Sequence, residues 1–423
     1  MNDRPRSSLA PDATSRLAQR YRAARAATEN LAAPLSAEDC AIQSMPDASP
    51  VKWHLGHTSW FFETFVLAPH LAGYAVYEPA FRVLFNSYYN AVGEKHPRPQ
   101  RGLLSRPSLD SVRGYRVHVD TGMARLFADE STDPALASLV ELGVNHEQQH
   151  QELILTDVKH MLSCNPLQPA YVPRAAVDSA PLRPLEWIEF GDTLAEIGHD
   201  GDGFAFDNET PRHREFVAAH TLASRPVTNG EYLEFIADGG YGRPELWLSE
   251  GWDWVGANRI SAPLYWEEDG AAHRFTLHGV SPVVAAAPVS HVSLFEADAY
   301  ARWAGARLPT EAEWESAAAH APIDGHFVED GIYEPRTGTG SAALDQLFGD
   351  VWEWTRSAYA PYPGFRPAGG ATGEYNGKFM CNQYVLRGGS CATPRSHIRA
   401  TYRNFFPASA RWQFSGFRLA RDL

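Results

Sequence analysis

The sequence LASLVELGVNHEQQHQELILTDVKHML, residues 136–162, contains a long run with the spacing of an amphipathic α-helix. Side chains three or four positions apart lie on the same face of a helix. One such face of this segment carries Leu139, Leu142, His146, His150, Leu153 and Asp157. The run therefore predicts a long helix that places two histidines on its apolar stripe.

Three further segments before residue 165 have helical spacing. Residues 17–31 are rich in Ala, Arg and Leu, which favour helices, residues 57–67 place aromatic side chains on one face, and residues 108–127 are amphipathic. Four helices with few strand signals predict a four-helix bundle. The connection from Tyr77 to Pro107 joins the second and third helices, and long ordered loops of this kind are often functional.

The composition of the chain changes near residue 165. Five prolines between residues 166 and 184 interrupt any helix or central strand, and short strand signals, turns and scattered tryptophans follow. Capping boxes that begin at Ser293 and Thr310 predict two short helices, and a third begins near Thr228. We therefore predict an α + (α+β) organisation: a disordered N-terminus at 1–15, a helical bundle at 16–165, a Pro-rich linker at 166–184 and an irregular α+β domain at 185–423.

Charge and hydropathy exclude several classes of partner. The chain has 37 Lys and Arg residues against 51 Asp and Glu residues, a formal charge of −14, which argues against nucleic acid or anionic lipid as a main partner. It has neither an apolar run of the roughly 18 residues that a membrane span needs nor a secretory h-region, so we expect a cytoplasmic protein. The four scattered cysteines predict neither a disulfide framework nor a zinc–thiolate site.

The segment His146-Glu-Gln-Gln-His150 indicates a metal site, because histidines four apart on a helix are close enough to bind one ion. The alternative is a pair of hydrogen-bonded core histidines. An HExxH segment is also typical of zinc peptidases, in which Glu147 would act as general base. That interpretation is disfavoured because the next glutamate after Glu152 is Glu186, beyond the linker, and Leu153 stands where the metzincin pattern needs Gly.

A third ligand is expected from another helix of the bundle, where Lys52-Trp-His54-Leu-Gly-His57 offers two histidines. His57 precedes Trp60 and Phe61 and is therefore the better candidate for an inward-pointing ligand, whereas His54 would support the ligands from behind. Three neutral imidazoles leave open coordination positions. On ligand chemistry alone, zinc and ferrous iron are both compatible with this set.

Five motifs along the chain resemble those of the ergothioneine-biosynthesis sulfoxide synthases, a family that includes a selenoneine synthase branch. They occur in the family's order, and with His57 the resemblance runs from about His54 to Arg421. The motifs are Phe85-Asn-Ser-Tyr88-Tyr89-Asn-Ala-Val-Gly93, His146-Glu-Gln-Gln-His150, Gly349-Asp-Val-Trp-Glu-Trp354, Leu386-Arg-Gly-Gly-Ser390 and Phe414-Ser-Gly-Phe-Arg418. The resemblance implies a DinB-like four-helix bundle fused to a C-terminal formylglycine-generating-enzyme-like (C-type-lectin-like) domain.

The resemblance implies a specific reaction. In this family a non-haem Fe(II) ion held by three histidines uses O2 to join a thiol sulfur to the imidazole C2 of hercynine, and the product is a sulfoxide. The implied ligands here are His57, His146 and His150. The implied partners are hercynine, O2 and a small thiol or selenol donor, and we expect a monomer or a weak homodimer.

Further site residues follow from the same resemblance. Gln149, Asn404 and Phe405 match residues that contact hercynine, and an aromatic ring can attract its quaternary ammonium group. Tyr88, Tyr89 or both match residues of one branch that transfer a proton at the iron site. The alternative for Tyr88 is an aromatic residue that only packs the loop against the bundle.

The residues that bind the sulfur donor depart from the family pattern. Members that use γ-glutamylcysteine carry an acid and a following arginine, and the corresponding positions here are Phe406 and Ala410. Phe406 therefore belongs to the expected substrate contacts, and the loss of both charges favours a smaller donor, most simply cysteine. Arg82 or Arg101 could bind a donor carboxylate. A selenosugar donor stays open as the alternative.

The C-terminal half is expected to supply a wall of a pocket between the two halves. True formylglycine-generating enzymes use two reactive cysteines after the Arg-Gly-Gly-Ser motif, but Cys391 has no second thiol nearby in sequence, so copper–thiolate chemistry is not expected. Two other classes of function stay open. One is a zinc-dependent DinB-type thiol transferase, which would need no O2, and the other is a binding protein that uses its C-type-lectin-like domain.

Overall fold

The helices of the N-terminal half follow the segments that the sequence predicts. The computed structural model describes residues 11–128, 133–173, 183–267, 273–340, 342–369 and 371–423. Its helices in this half are α1 (Pro11–Ala32), α2 (Val51–Phe61), α3 (Ala68–His70), α4 (Phe81–Leu84), α5 (Leu109–Ala128) and α6 (Pro134–Ser163). The four long helices expected between residues 17 and 162 are therefore confirmed.

The chain divides into two compact units. One comprises Met1–Met161 together with Gly369–Glu374, and the other comprises Leu162–Ala368 together with Tyr375–Leu423. Helix α1 begins at Pro11, inside the stretch 1–15 for which we expected disorder, and proline is compatible with the first position of a helix. Residues 1–10 of that stretch and residues 174–182 of the expected linker lie outside the described residues. None of the described helices combines the length and apolar character that crossing a membrane would require.

Helix α2 is the centre of the bundle, since all eleven of its residues are buried. It begins directly after Pro50, six residues earlier than the helix we expected from His57, and it continues into a wide π-helical turn over Phe62–Leu67. Two glycines allow other segments to approach it closely. A Cβ atom on Gly56 would lie 2.3 Å from the Phe85 ring, and one on Gly143 of α6 would lie 2.5 Å from the Phe62 ring. A larger residue at Gly56 would force the segment around Phe85 away from α2, and one at Gly143 would force α6 away from the π-helical turn.

A buried ion network ties α1, α5 and α6 together. Glu147 of α6, fully buried, accepts hydrogen bonds from Arg25 of α1 at 3.1 Å and from Arg116 of α5 at 3.0 Å. Arg25 also donates to Ser59 of α2 at 2.9 Å and to Asp120 of α5 at 2.8 Å. Burial alone would raise the pKa of Glu147, but the two guanidinium groups outweigh burial and lower it to about 2.

The second unit contains short strands in several small sheets. The described strands are β1 (Trp187–Phe190), β2 (Thr193–Ile197), β3 (His213–Val217), β4 (His220–Ala223), β5 (His273–Thr276), β6 (Gly279–Pro282), β7 (Gly325–His326), β8 (Phe348–Gly349), β9 (Trp352–Ala358), β10 (Tyr384–Arg387), β11 (Asn404–Phe406), β12 (Ser415–Gly416) and β13 (Ala420–Asp422). A three-stranded antiparallel sheet has the order β1–β4–β13, and a four-stranded sheet has the order β11–β10–β9–β12, in which only the β12–β9 pair is parallel. The other described strands form the two-stranded pairs β2–β3, β5–β6 and β7–β8.

Among the described residues of the second unit there are four α-helices, and the sequence predicts three of them. They are α7 (Asn229–Ala237), α8 (Ser249–Asn258), α9 (Leu294–Trp303) and α10 (Glu311–Ala318). Ser293 and Thr310 form side-chain capping boxes at the starts of α9 and α10, as expected from their spacing, and Thr228 forms a third at the start of α7. Helix α8 was missed because its first residue follows Leu248, which offers no side-chain cap.

The charged residues of the C-terminal sequence motifs form buried ion pairs. Glu353 of the Gly-Asp-Val-Trp-Glu-Trp motif lies 2.9 Å from Arg418 of the Phe-Ser-Gly-Phe-Arg motif, and neither side chain is exposed. Arg387 of the Leu-Arg-Gly-Gly-Ser motif contacts Glu311 at 3.1 Å and Glu315 at 2.7 Å, both on α10. These motif residues therefore hold the strands and α10 of this unit together.

We predict that Glu147→Gln destabilises the bundle by about 3 kcal/mol at neutral pH, because it leaves Arg25 and Arg116 with less compensation for their buried charges. Denaturant unfolding of the full chain measures the change. The stabilisation by Glu147 is complete above its ordinary pKa near 4.5 and is lost as the pH falls toward 2, so the difference from the wild type should shrink over that range. Glu141→Gln is the matched control, since its partly exposed pair with Arg20 contributes under about 1 kcal/mol. Equal effects of the two substitutions would contradict the prediction.

Candidate metal centre

Helices α2 and α6 bring together the three histidines that the sequence predicts as ligands. One ring nitrogen from each of His57, His146 and His150 lies within 4.8 Å of the other two. All three side chains are buried. The Nε2 atoms of His57 and His146 are 3.1 Å apart, which matches two nitrogens that share an ion at the usual bond length of about 2.0–2.1 Å. The donor set therefore fits a transition-metal ion.

The protonation states of these rings also suit metal binding. The Nδ1 atom of His57 donates a hydrogen bond to the Phe85 carbonyl at 2.6 Å, so the neutral ring presents the lone pair of Nε2 to the shared space. Burial lowers the pKa of His57 and of His150 well below the ordinary range, and the neighbouring imidazoles add to the effect. Burial lowers the pKa of His146 to about 3. All three imidazoles are therefore neutral at pH 7, the form that binds a metal ion.

Aromatic rings fix the orientation of the ligands. The His57 ring lies between Trp53, whose ring is stacked on it at 4.5 Å between centroids, and Trp60, stacked at 5.4 Å. The Phe61 ring lies 4.8 Å from His146. These rings also keep water from the buried side of the site.

A buried arginine packs against Trp53 of this aromatic layer. The Arg101 guanidinium is centred 3.4 Å from the Trp53 ring, and its Nη1 donates to Ser49 at 2.9 Å. Burial and the nearby Arg98 charge lower the pKa of Arg101 to about 8. From the sequence, Arg101 is only one of two candidates for binding the carboxylate of the sulfur donor. Its stacking on the Trp53 ring, next to His57, is seen only in the structure.

The glutamate of the HExxH segment is not available for catalysis. Glu147 is occupied by Arg25 and Arg116, so its carboxylate cannot activate a water molecule at the histidines. This arrangement agrees with the exclusion of a zinc peptidase from the sequence.

His54 contacts a predicted ligand from outside the shared space. Its Nδ1 lies 2.8 Å from Nδ1 of His150, and its Nε2 lies 3.0 Å from Oδ2 of Asp157. The sequence places His54 near the ligands but assigns no role to Asp157. The sequence feature that indicates a role for Asp157 is its position two helical turns beyond His150, on the same stripe of α6.

The loop between α4 and α5 holds Tyr88 and Tyr89. The side-chain amide of Asn86 orders it by donating to the carbonyls of Tyr89 and Gly93 at 3.0 and 3.3 Å. Tyr89 is buried with its ring 5.5 Å from Trp60, and Tyr88 is stacked on Tyr89 at 4.6 Å. The loop is thus linked through Trp60 to the His57 ring.

The other predicted contact residues are distributed over both units. Gln149 is half-buried beside His150 on α6, and Asn404, Phe405 and Phe406 form the half-buried strand β11. Phe405 stacks on Tyr359 at 4.0 Å, and Phe406 lies 5.9 Å from Trp412. Arg82 is exposed, and its guanidinium donates to the Val92 carbonyl at 2.6 Å. The roles of these residues stay predictions.

Comparison with known families identifies both units. The family model of the sulfatase-modifying factor enzyme 1-like domain matches residues 187–331 and 338–423, and that of the DinB superfamily matches residues 20–154. The expected fusion of a DinB-like bundle to a formylglycine-generating-enzyme-like domain is therefore confirmed.

Several characterised proteins are similar to this chain. The hercynine oxygenase of Mycobacterium tuberculosis is 33% identical over 95% of this chain and 97% of its own length. The hercynine oxygenase of Mycolicibacterium thermoresistibile is 32% identical over 89% of this chain and 88% of its own length. Ergothioneine biosynthesis protein 1 of Schizosaccharomyces pombe is 28% identical over 52% of this chain and 28% of its own length. On the identity and coverage of the mycobacterial relatives, the chain belongs to the hercynine oxygenase family of ergothioneine biosynthesis.

Proposed function

We propose that this protein is a non-haem Fe(II), O2-dependent sulfoxide synthase that joins the sulfur of a small thiol, most simply cysteine, to the imidazole C2 of hercynine. The observation that carries the proposal is the buried set of three neutral imidazoles that face one point in a member of this family. The name of the mycobacterial relatives supports hercynine as the substrate.

The ligand set suits this chemistry. His57, His146 and His150 would hold the ferrous ion and would leave coordination positions for the hercynine imidazole, the thiolate and O2. When bound, ferrous iron supplies O2 binding and keeps the coordinated sulfur deprotonated. The side chains of Trp53, Trp60 and Phe61 would exclude water and pack against the rings of His57 and His146.

Within this proposal Tyr88, Tyr89 or both supply the proton, and hercynine is bound by polar and aromatic side chains. Gln149 lies next to a ligand and would hydrogen-bond the substrate. Asn404 and Phe405 would contribute from β11, where the Phe405 ring can attract the trimethylammonium group.

We propose that Arg101, rather than Arg82, binds the carboxylate of the donor. Arg101 is buried, and its charge is close enough to lower the pKa values of His57 and His150, although burial is the larger cause in both. Arg82 is exposed and occupied by a carbonyl. A selenosugar, which has no carboxylate, is the alternative donor.

A longer peptide donor such as γ-glutamylcysteine is disfavoured, because Phe406 and the buried Ala410 carry no charge at the positions that would bind its charged groups.

The function is tested by mass-spectrometric product analysis with hercynine and cysteine, γ-glutamylcysteine or selenoglucose in parallel, together with an oxygen electrode. We expect a cysteine-derived sulfoxide and O2 uptake that requires both substrates. His150→Ala should abolish iron loading and turnover because it removes one of three ligands, whereas the control His160→Ala, on the same helix, should retain both. Product formation without O2 would indicate the zinc thiol transferase, and full iron occupancy in His150→Ala would refute the ligand assignment.

The tyrosines are tested by Tyr88→Phe and Tyr89→Phe, which keep the stacked rings and remove only the hydroxyl groups. At least one should lower sulfoxide formation by about 10²–10⁴-fold, the usual contribution of a positioned general acid, while iron content stays unchanged. Tyr77→Phe, in the same connection, serves as the control. If both loop variants keep wild-type turnover, the tyrosines only pack the loop.

The donor contact is tested by comparing cysteine with cysteamine, which lacks the carboxylate. Arg101→Gln should raise the KM for cysteine by about 10–100-fold, the effect of a lost charged hydrogen bond, and should leave the KM for cysteamine unchanged. Arg101→Lys should restore part of the preference for cysteine. The same pattern in Arg82→Gln, without an effect of Arg101→Gln, would assign the carboxylate to Arg82.

A further inference from the structure

A chain of hydrogen bonds runs from a ligand of the metal centre to a carboxylate on the same helix. His54, only 2% exposed, lies between His150 and Asp157 at the distances given above. Oδ2 of Asp157 also accepts a hydrogen bond from the backbone N–H of Ser49 at 2.7 Å. This second donor fixes the carboxylate oxygen that faces His54.

If His54 is neutral, these contacts allow one assignment of protons. The carboxylate only accepts, so Nε2 of His54 must carry the proton that points to Asp157. A neutral His54 then has its lone pair on Nδ1, and the contact with His150 requires that Nδ1 of His150 donates. The remaining nitrogen of His150, Nε2, is thereby left unprotonated and available to a metal.

We propose that His54 and Asp157 are positioning residues that fix the tautomer and the ring plane of His150 as a metal ligand. The Phe85 carbonyl accepts a hydrogen bond from Nδ1 of His57 in the same way. Two of the three proposed ligands therefore have a hydrogen bond at the ring nitrogen that points away from the shared space. Such outer contacts commonly change metal affinity by 10–100-fold. The inference concerns the site of the proposed function, but it requires only a divalent ion at the histidines and not the oxidation of a thiol.

The test measures Zn(II) binding to the metal-free full-length protein by competition with a chromophoric chelator. His54→Phe keeps a planar ring but offers no acceptor to His150, so its affinity should fall by about 10–100-fold. In His54→Asn, Oδ1 takes the place of Nδ1 and can accept from His150, so the affinity should stay within about threefold of the wild type. His160→Phe is the matched control, because His160 lies on α6 and its Nδ1 is bonded to Ser44 at 2.8 Å.

Asp157 is tested through a double-mutant cycle. Asp157→Leu should weaken Zn(II) binding in the same direction as His54→Phe, and the double variant should bind no more weakly than His54→Phe alone, since Asp157 acts through His54. Denaturant unfolding of the metal-free variants separates this effect from a general loss of stability. A purely structural role would lower stability in the absence of metal and leave Zn(II) affinity unchanged.

A spectroscopic measurement reports on the hydrogen bond itself. In the Co(II) form the proton on Nδ1 of His150 should give a paramagnetically shifted NMR signal that exchanges slowly in the wild type and in His54→Asn, and rapidly in His54→Phe. Wild-type Zn(II) affinity and slow exchange in His54→Phe would overturn the proposal, as would His54→Asn binding as weakly as His54→Phe. If the wild type binds Co(II) with these signatures but forms no sulfoxide, the proposed function fails and this inference stands.

Discussion

Burial of three imidazole rings is the constraint on which the helical unit depends. A buried imidazole is costly unless both of its nitrogens find partners. The outer nitrogen of His57 has the Phe85 carbonyl, and that of His150 has His54, so the inner nitrogens can be satisfied together by one shared ion. His57 lies on α2, and His146 and His150 lie on α6. The three imidazoles therefore come together only when these two helices pack against each other.

The five residues His146–His150 serve two sides of α6 at once. The two histidines face the shared space, whereas Glu147 faces the opposite side and joins Arg25 and Arg116. A motif that is catalytic in zinc peptidases is divided here between ligand supply and helix packing. In the second unit, Glu353 and Arg418 of two sequence motifs also form a buried ion pair that serves packing. A sequence motif therefore shows where a residue stands in the chain, but the role of that residue depends on the side chains that it contacts.

Local patterns explain most of what could be predicted from the sequence. The long helices follow from apolar spacing and the short ones from capping boxes, and the ligand set follows from His146 and His150 on one stripe. Features that depend on distant partners were not accessible. Helix α8 has no side-chain cap, and its aromatic residues fit strands and helices alike. The environments that separate Arg101 from Arg82 depend on contacts between segments far apart in the chain, as does the pairing of Asp157 with His54.

The wide turn at Phe62–Leu67 has a consequence for how the bundle can change. A π-helical turn accommodates one residue more than an α-helical turn, and such turns often occur beside functional sites. It lies downstream of His57, so a one-residue deletion there could be absorbed by tightening the turn, while the ligand side of α2 keeps its rotation. A change of length in this turn would in this way leave the positions of the three histidines unchanged.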